Sequence, residues 1–160
     1  EWTEFDLDKG LWIIPLDRMK TRKHMTAPHV VTLSRQAVAA LKELHGLTNY
    51  SKLLFPSLIN STKPISDMTL SKALRTIWPN YRIVPHGFRH FFSTMANEHG
   101  QFRYDVIEAA LAHKDSNAIR ATYNRAIYIT ERRELAQWWA DELEVMRSGG
   151  QVLTFKKGTV

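Results

Sequence analysis

His86 and Arg89 stand three positions apart in the stretch from Pro85 to Arg125, PHGFRHFFSTMANEHGQFRYDVIEAALAHKDSNAIRATYNR. On a helix, that spacing turns both side chains the same way. Phe88, Phe92 and Met95 recur at helical spacing beside them and read as an apolar stripe. The helix is therefore divided between core and something anionic. A later histidine, His113, and a tyrosine, Tyr123, complete a set that suits chemistry on a phosphate. These residues alone leave open whether the anion is DNA, a small phosphate or nothing at all.

The elements that must position this set begin with strands. LWIIP from Leu11 and HVVTL ending at Leu33 concentrate β-branched residues, which predicts a β-hairpin or small antiparallel sheet near the N-terminus. Their connection carries Arg18, Lys20, Arg22, Lys23 and His24, a dense basic cluster. Ser34 is a suitable N-cap for a helix running to about His45, with Gly46 as its stop. Leu53 to Pro56 reads as a brief strand or extended segment entering a polar loop, Ser57 to Ile65. A second helix is capped by Ser66 or Asp67, has Leu70, Ala73, Leu74 and Ile77 as its inner face, and ends at Trp78-Pro79. The helix carrying His86 and Arg89 should end near Gly100. Another follows with Val106, Ile107, Ala110 and Leu111, closed by a turn from His113 to Ser116, and Ser116 can cap a short helix holding Ile119 and Tyr123. Thr130 is the expected cap of a last long helix, with Leu135, Trp138, Trp139, Leu143 and Met146 on its apolar side and Gly149 as its stop. The two tryptophans could serve this domain's core or a neighbour's surface. The pattern defines a mainly α, α+β chain.

The 160 residues, 44% of them hydrophobic, suffice for one domain with a buried core. A formal charge of +6, from 22 Lys+Arg against 16 Asp+Glu, favours a polyanionic partner. The absence of cysteine excludes disulfides and thiolate metal sites. No apolar run is long enough to span a bilayer and no signal peptide opens the chain, and the lack of cysteine fits a reducing, cytoplasmic setting. A metal site built from His86, His90, His99 and His113 is the chemical alternative, because the spacing of 86 and 90 can hold zinc. That motif contains no carboxylate, and Arg89 stands inside it.

His86-Gly87-Phe88-Arg89-His90, then Leu111-Ala112-His113, then Tyr123-Asn124-Arg125 ten positions after His113, together resemble the catalytic motif of tyrosine recombinases, the phage integrase family. The wording RMK, PHGFR, NEHG, DVIEAALAHK, YNRA and QWWAD is most similar to integrases of P4-like phages and genomic islands. The resemblance runs from Glu1 to about Met146. It implies a helical catalytic domain over residues 1–160 that cleaves and rejoins DNA through a 3′-phosphotyrosine, to integrate or excise a phage or genomic island. Tyr123 matches the nucleophile, and the YNRA context favours it over Tyr104 and Tyr128. Arg89 matches an arginine that clamps the scissile phosphate. His86 matches a histidine that assists proton transfer, His113 one that supports the phosphate, and Lys20 the lysine that protonates the leaving 5′-oxygen, with Arg22 and Lys23 close by. The resemblance implies no cofactor, neither ATP nor metal. The partners it implies are double-stranded DNA attachment sites and three further copies in a homotetramer, with DNA-bending accessory factors as additional candidates, and the place of work it implies is the bacterial cytoplasm, on chromosomal DNA.

The match is incomplete. The family's set begins with another arginine upstream of the sheet, and its DNA-clamping N-terminal domain also precedes the segment that Glu1 opens. The chain as given is therefore expected to cleave DNA poorly. A type IB topoisomerase-like enzyme and a DNA-binding module that does not react are the alternative functions.

Overall fold

Ile13 and Ile14 on one run and Val30 and Val31 on another are branched at Cβ, so they suit a pleated surface. In the computed structural model, which describes residues 1–19, 28–113 and 128–149, these runs pair. β1 (Phe5–Asp6), β2 (Leu11–Ile14) and β3 (His29–Thr32) form an antiparallel sheet in the order β1-β2-β3. Phe5 lies opposite Trp12, and Trp12 opposite Val31. The Phe5 and Trp12 rings stack at 5.3 Å with 7° between their planes, a cross-strand pair of the kind that contributes roughly 0.2–1 kcal/mol. The chain turns from β1 to β2 through Gly10 at φ 63°, where a Cβ would come within 3.4 Å of the Leu33 carbonyl. Glycine meets both the left-handed backbone and the close approach.

Five α-helices follow among the described residues: α1 (Arg35–Thr48), α2 (Asp67–Ile77), α3 (Pro85–His99), α4 (Tyr104–Ala110) and α5 (Ile129–Arg147). The fold is mainly helical with a small sheet near the N-terminus, as the sequence pattern predicts. Ser34 caps α1, its Oγ accepting the Ala37 amide at 3.2 Å. The helix does not stop at Gly46; it continues to Thr48, and the Asn49 amide still reaches the His45 carbonyl. Gly46 lacks the left-handed geometry that would end a helix, and the Trp2 ring packs edge-on against His45 at 4.8 Å, holding this turn in place. In α2, Ser66 is the N-cap and Leu74 is buried, but Leu70 and Ile77 of the expected inner face are 52% and 62% exposed. The periodicity is present and most of the face has no partner in the described residues. Leu53 to Pro56 forms no named strand, only an isolated bridge from Pro56 to Pro64.

The core lies where α3, α4 and α5 meet. Ala96, Val106, Ile107, Leu111 and Leu135 are buried together, with Phe92, Phe102 and Trp138 packed against them. Phe88, expected in the apolar stripe of α3, is instead 52% exposed. Trp138 packs on His99 and Phe102, and Trp139 on Phe91 and Phe92. Both tryptophans thus serve their own chain. The cap of α5 is Tyr128, in left-handed backbone at φ 73°, and Thr130 falls inside the first turn. Side-chain bonds to Tyr128 outweigh the capping preference of threonine there.

Pro85 opens α3 at a position where its missing N–H is not needed and Gly100 closes it at φ 71°. The end of α4 is tighter. Leu111 is its cap, Ala112 takes φ 52°, the Ala112 amide donates to the Ala109 carbonyl at 3.2 Å, and the His113 amide donates to Glu108 at 3.0 Å. This is a Schellman turn, which normally places glycine at the left-handed position. Ala112→Gly is expected to stabilise the chain by about 0.5–1 kcal/mol, because glycine removes a Cβ that opposes this backbone. Urea denaturation of both forms measures it, and a loss of stability would contradict the assignment.

Candidate active site

Arg89 projects from the second turn of α3 and donates through Nη2 to the Leu111 carbonyl at the end of α4. A helix end leaves its last carbonyls without amides and carries partial negative charge, so a guanidinium is well matched to it. This bond joins the two ends of the motif: α3 supplies His86 and Arg89, and the turn that begins at Leu111 supplies His113. Arg89 has five N–H donors, and among the described residues its hydrogen bond goes to that one carbonyl. The guanidinium remains exposed, with donors left for an anion from solvent.

His113 is exposed, with Nδ1 at 2.9 Å from Glu108 Oε2. An ionised carboxylate only accepts, so this contact keeps a proton on Nδ1 and leaves Nε2 as the ring atom that can meet a ligand. Glu108 thereby orients His113 twice, through its carboxylate and through the carbonyl that accepts the His113 amide. His86 is exposed in the first turn of α3, on the same helix face as Arg89. The Arg89–Leu111 bond therefore sets the helix that carries His86 and Arg89 against the turn that carries His113. Tyr123 and Lys20 lie outside the described residues, as do the turn from Lys114 to Ser116, the helix expected after it, and Arg22, Lys23 and His24.

Tyr104 is 68% exposed on α4. Tyr128 is committed elsewhere: its hydroxyl donates to Asp105 Oδ2 at 2.9 Å and accepts from Arg103 Nη2 at 3.0 Å. The Arg103 guanidinium also lies 4.9 Å from the centre of the Tyr128 ring and grips Asp105 through two nitrogens, Nε at 3.1 Å. Sequence reasoning missed this clamp and also missed Glu108. Residues five apart do not face each other on a helix, so Glu108 and His113 meet only because Ala112 turns left-handed, and alanine gives no sign of that. The histidines do not form a metal site: no group of three or more His, Cys, Asp or Glu that could hold an ion occurs among the described residues, and His99 is turned against Trp138.

The model of the phage integrase family matches residues 1–128, and the chain belongs to that family. It is 42% identical over 153 residues to prophage integrase IntA of Escherichia coli strain K12, covering 96% of this chain and 36% of that protein. The integrase of Enterobacteria phage P4 is 36% identical over 158 residues, covering 92% and 36%. The integrase of Shigella phage Sf6 is 36% identical over 145 residues, covering 90% and 36%. The chain thus spans about a third of the length of these curated relatives. No solved structure matches it.

The Arg103 hydrogen bonds hold the Asp105 carboxyl below its usual range, against the opposing effect of partial burial and with help from the Tyr128 hydroxyl. A carboxylate with a depressed folded value stabilises fully above the unfolded value and loses that contribution as pH falls through the folded one. The clamp between α4 and α5 is therefore expected to persist down to about pH 4 and to loosen below it. A carboxyl-carbon NMR titration of Asp105 checks this. In Tyr128→Phe the Asp105 midpoint should rise while the fold survives, at a cost of about 1 kcal/mol for the lost hydroxyl bonds.

Proposed function

We propose that residues 1–160 are the catalytic domain of a site-specific DNA recombinase that integrates or excises a phage or genomic island. The observation that carries this reading is the bond from Arg89 to the Leu111 carbonyl, which brings the two separated parts of the motif, His86 with Arg89 and Leu-Ala-His113, to one place. Family membership and the integrase names of the relatives support it.

In the proposed reaction the Tyr123 oxygen attacks a phosphorus of the DNA backbone, and the bond from phosphorus to the 5′-oxygen breaks. The product is a 3′-phosphotyrosine and a free 5′-hydroxyl. A phenol with a reference pKa of about 10 must give up its proton as it attacks, and His86 is the acceptor in this reading. Arg89 binds the non-bridging oxygens as charge develops on them, where its planar fork holds two at once. His113, oriented by Glu108, donates from Nε2 to a phosphate oxygen when its ring is protonated. Lys20 protonates the leaving 5′-oxygen. The later attack of a 5′-hydroxyl from a partner strand reverses these steps, so the bond energy is retained in the covalent link and no external energy source is required.

The working assembly in this reading is a homotetramer on two duplex attachment sites, with accessory factors bending the DNA. The net charge of +6 suits such a partner, and binding should weaken steeply with salt as condensed counterions are released. The first arginine of the family's set has no match in this chain. Cleavage by residues 1–160 alone is therefore expected to be about 10² to 10³ slower than by a protein that also carries it.

The test uses the full-length protein and a nicked suicide duplex of its attachment site. A covalent protein–DNA adduct is expected, absent in Tyr123→Phe and retained in Tyr128→Phe. Arg89→Lys should lower its rate by about 10² to 10³. Relaxation of supercoils without strand exchange would identify a topoisomerase instead, and no adduct under any condition would leave only a DNA-binding module.

A further inference from the structure

Beside the sheet lies a carboxylate that the proposed chemistry does not use. Glu4 ends a 3₁₀ turn over Trp2–Glu4, and its side chain is only 8% exposed. Its Oε2 accepts from the Trp12 indole N–H of β2 at 3.0 Å, and its Oε1 lies 2.8 Å from Arg18 Nη1. A sheltered carboxylate is costly unless it is paired, and here two donors meet it. Glu1 stands farther off, 3.8 Å from the same Arg18 nitrogen, and is itself 3.4 Å from Lys52 Nζ.

The pair holds the point at which the chain leaves β2. Leu16–Arg18 is a second 3₁₀ turn, in which the Arg18 amide donates to the Pro15 carbonyl at 3.1 Å and the Met19 amide to the Leu16 carbonyl at 3.2 Å. So short a helix fixes little by itself. Glu4 fastens its last residue to β2 through the Trp12 indole. Lys20 follows Arg18 by two residues, so covalent geometry keeps its Cα within about 7 Å of the Arg18 Cα, whereas Lys23, five residues on, can lie up to about 17 Å away. Of Lys20, Arg22 and Lys23, Lys20 is thus the one that this anchor constrains most.

On the recombinase reading, we propose that Glu4 is a positioning residue for the general acid: by holding Arg18 against β2 it sets where Lys20 delivers its proton. In the step concerned, the bond from phosphorus to the 5′-oxygen breaks, its electron pair stays on that oxygen, and a proton from Lys20 Nζ neutralises it. In this role Glu4 touches neither the DNA nor the proton. It acts on distance, and a misplacement of about 1 Å can cost about 10²-fold in rate.

The experiment times adduct formation by the full-length protein on two versions of the nicked suicide duplex, one with the ordinary 5′-oxygen at the scissile phosphate and one with sulfur in its place. A thiol is far more acidic than an alcohol, so the sulfur leaves as a thiolate and needs no proton. Glu4→Gln keeps an acceptor for Trp12 and loses the charge that holds Arg18. Arg18→Met breaks the same pair from its more exposed side. Each is expected to slow cleavage of the oxygen duplex by about 10- to 100-fold and to leave cleavage of the sulfur duplex at the unaltered rate, as Lys20→Ala also should. The double variant should be no slower than either single one. Equal slowing on both duplexes, no slowing on either, or a Lys20→Ala defect that sulfur does not relieve would overturn the inference while the adduct itself keeps the recombinase reading intact. No adduct from the unaltered protein on either duplex would sink that reading and this inference with it.

Discussion

Everything at the candidate site depends on how the end of α4 satisfies its carbonyls. The Schellman turn gives Glu108 and Ala109 their amides and leaves the Leu111 oxygen to Arg89. That one acceptor fixes the guanidinium against the helix end, and the chain leaving the same turn presents His113. Placement of the basic groups is thus a by-product of helix termination. The core beneath, built on Ile107, Leu111 and Leu135, keeps α3 and α4 at the separation this bond requires.

Much of this was legible in the sequence where a local rule has a single solution. Ser34, Pro85 and Gly100 sit where caps and stops belong, and the β-branched runs pair as strands. His86 and Arg89 could be recognised because three-residue spacing on a helix has one meaning. Gly46 and Thr130 misled because each has a local preference that tertiary contacts override: His45 is held by Trp2, and Tyr128 is held by Asp105 and Arg103. Glu108 was illegible for a different reason. Its link to His113 needs a positive φ at an alanine, and nothing in side-chain chemistry announces that. Tyr123 and Lys20 rest on resemblance, since they fall outside the described residues.

The longest helix is held by both apolar and polar contacts. One side of α5 gives Leu135 and Trp138 to the core, and Trp139 packs on Phe91 and Phe92 of α3. Polar contacts hold it in place meanwhile: Gln137 accepts the Arg35 amide at the start of α1 and donates to Gln36 and Asp141. The bonds to Arg35 and Gln36 tie α5 to the first turn of α1.

Arg132 of α5 reaches the edge of the sheet. In a sheet ordered β1-β2-β3, the outer strands present backbone groups that could recruit a further strand from another molecule. β1 is only two residues long and offers little template. On the other side, the Val30 carbonyl is taken by Arg132, and the Thr32 hydroxyl is spent on the Arg132 carbonyl at 2.9 Å. The start of α5 thus lies against β3, and the Val30 carbonyl is not free to template a further strand.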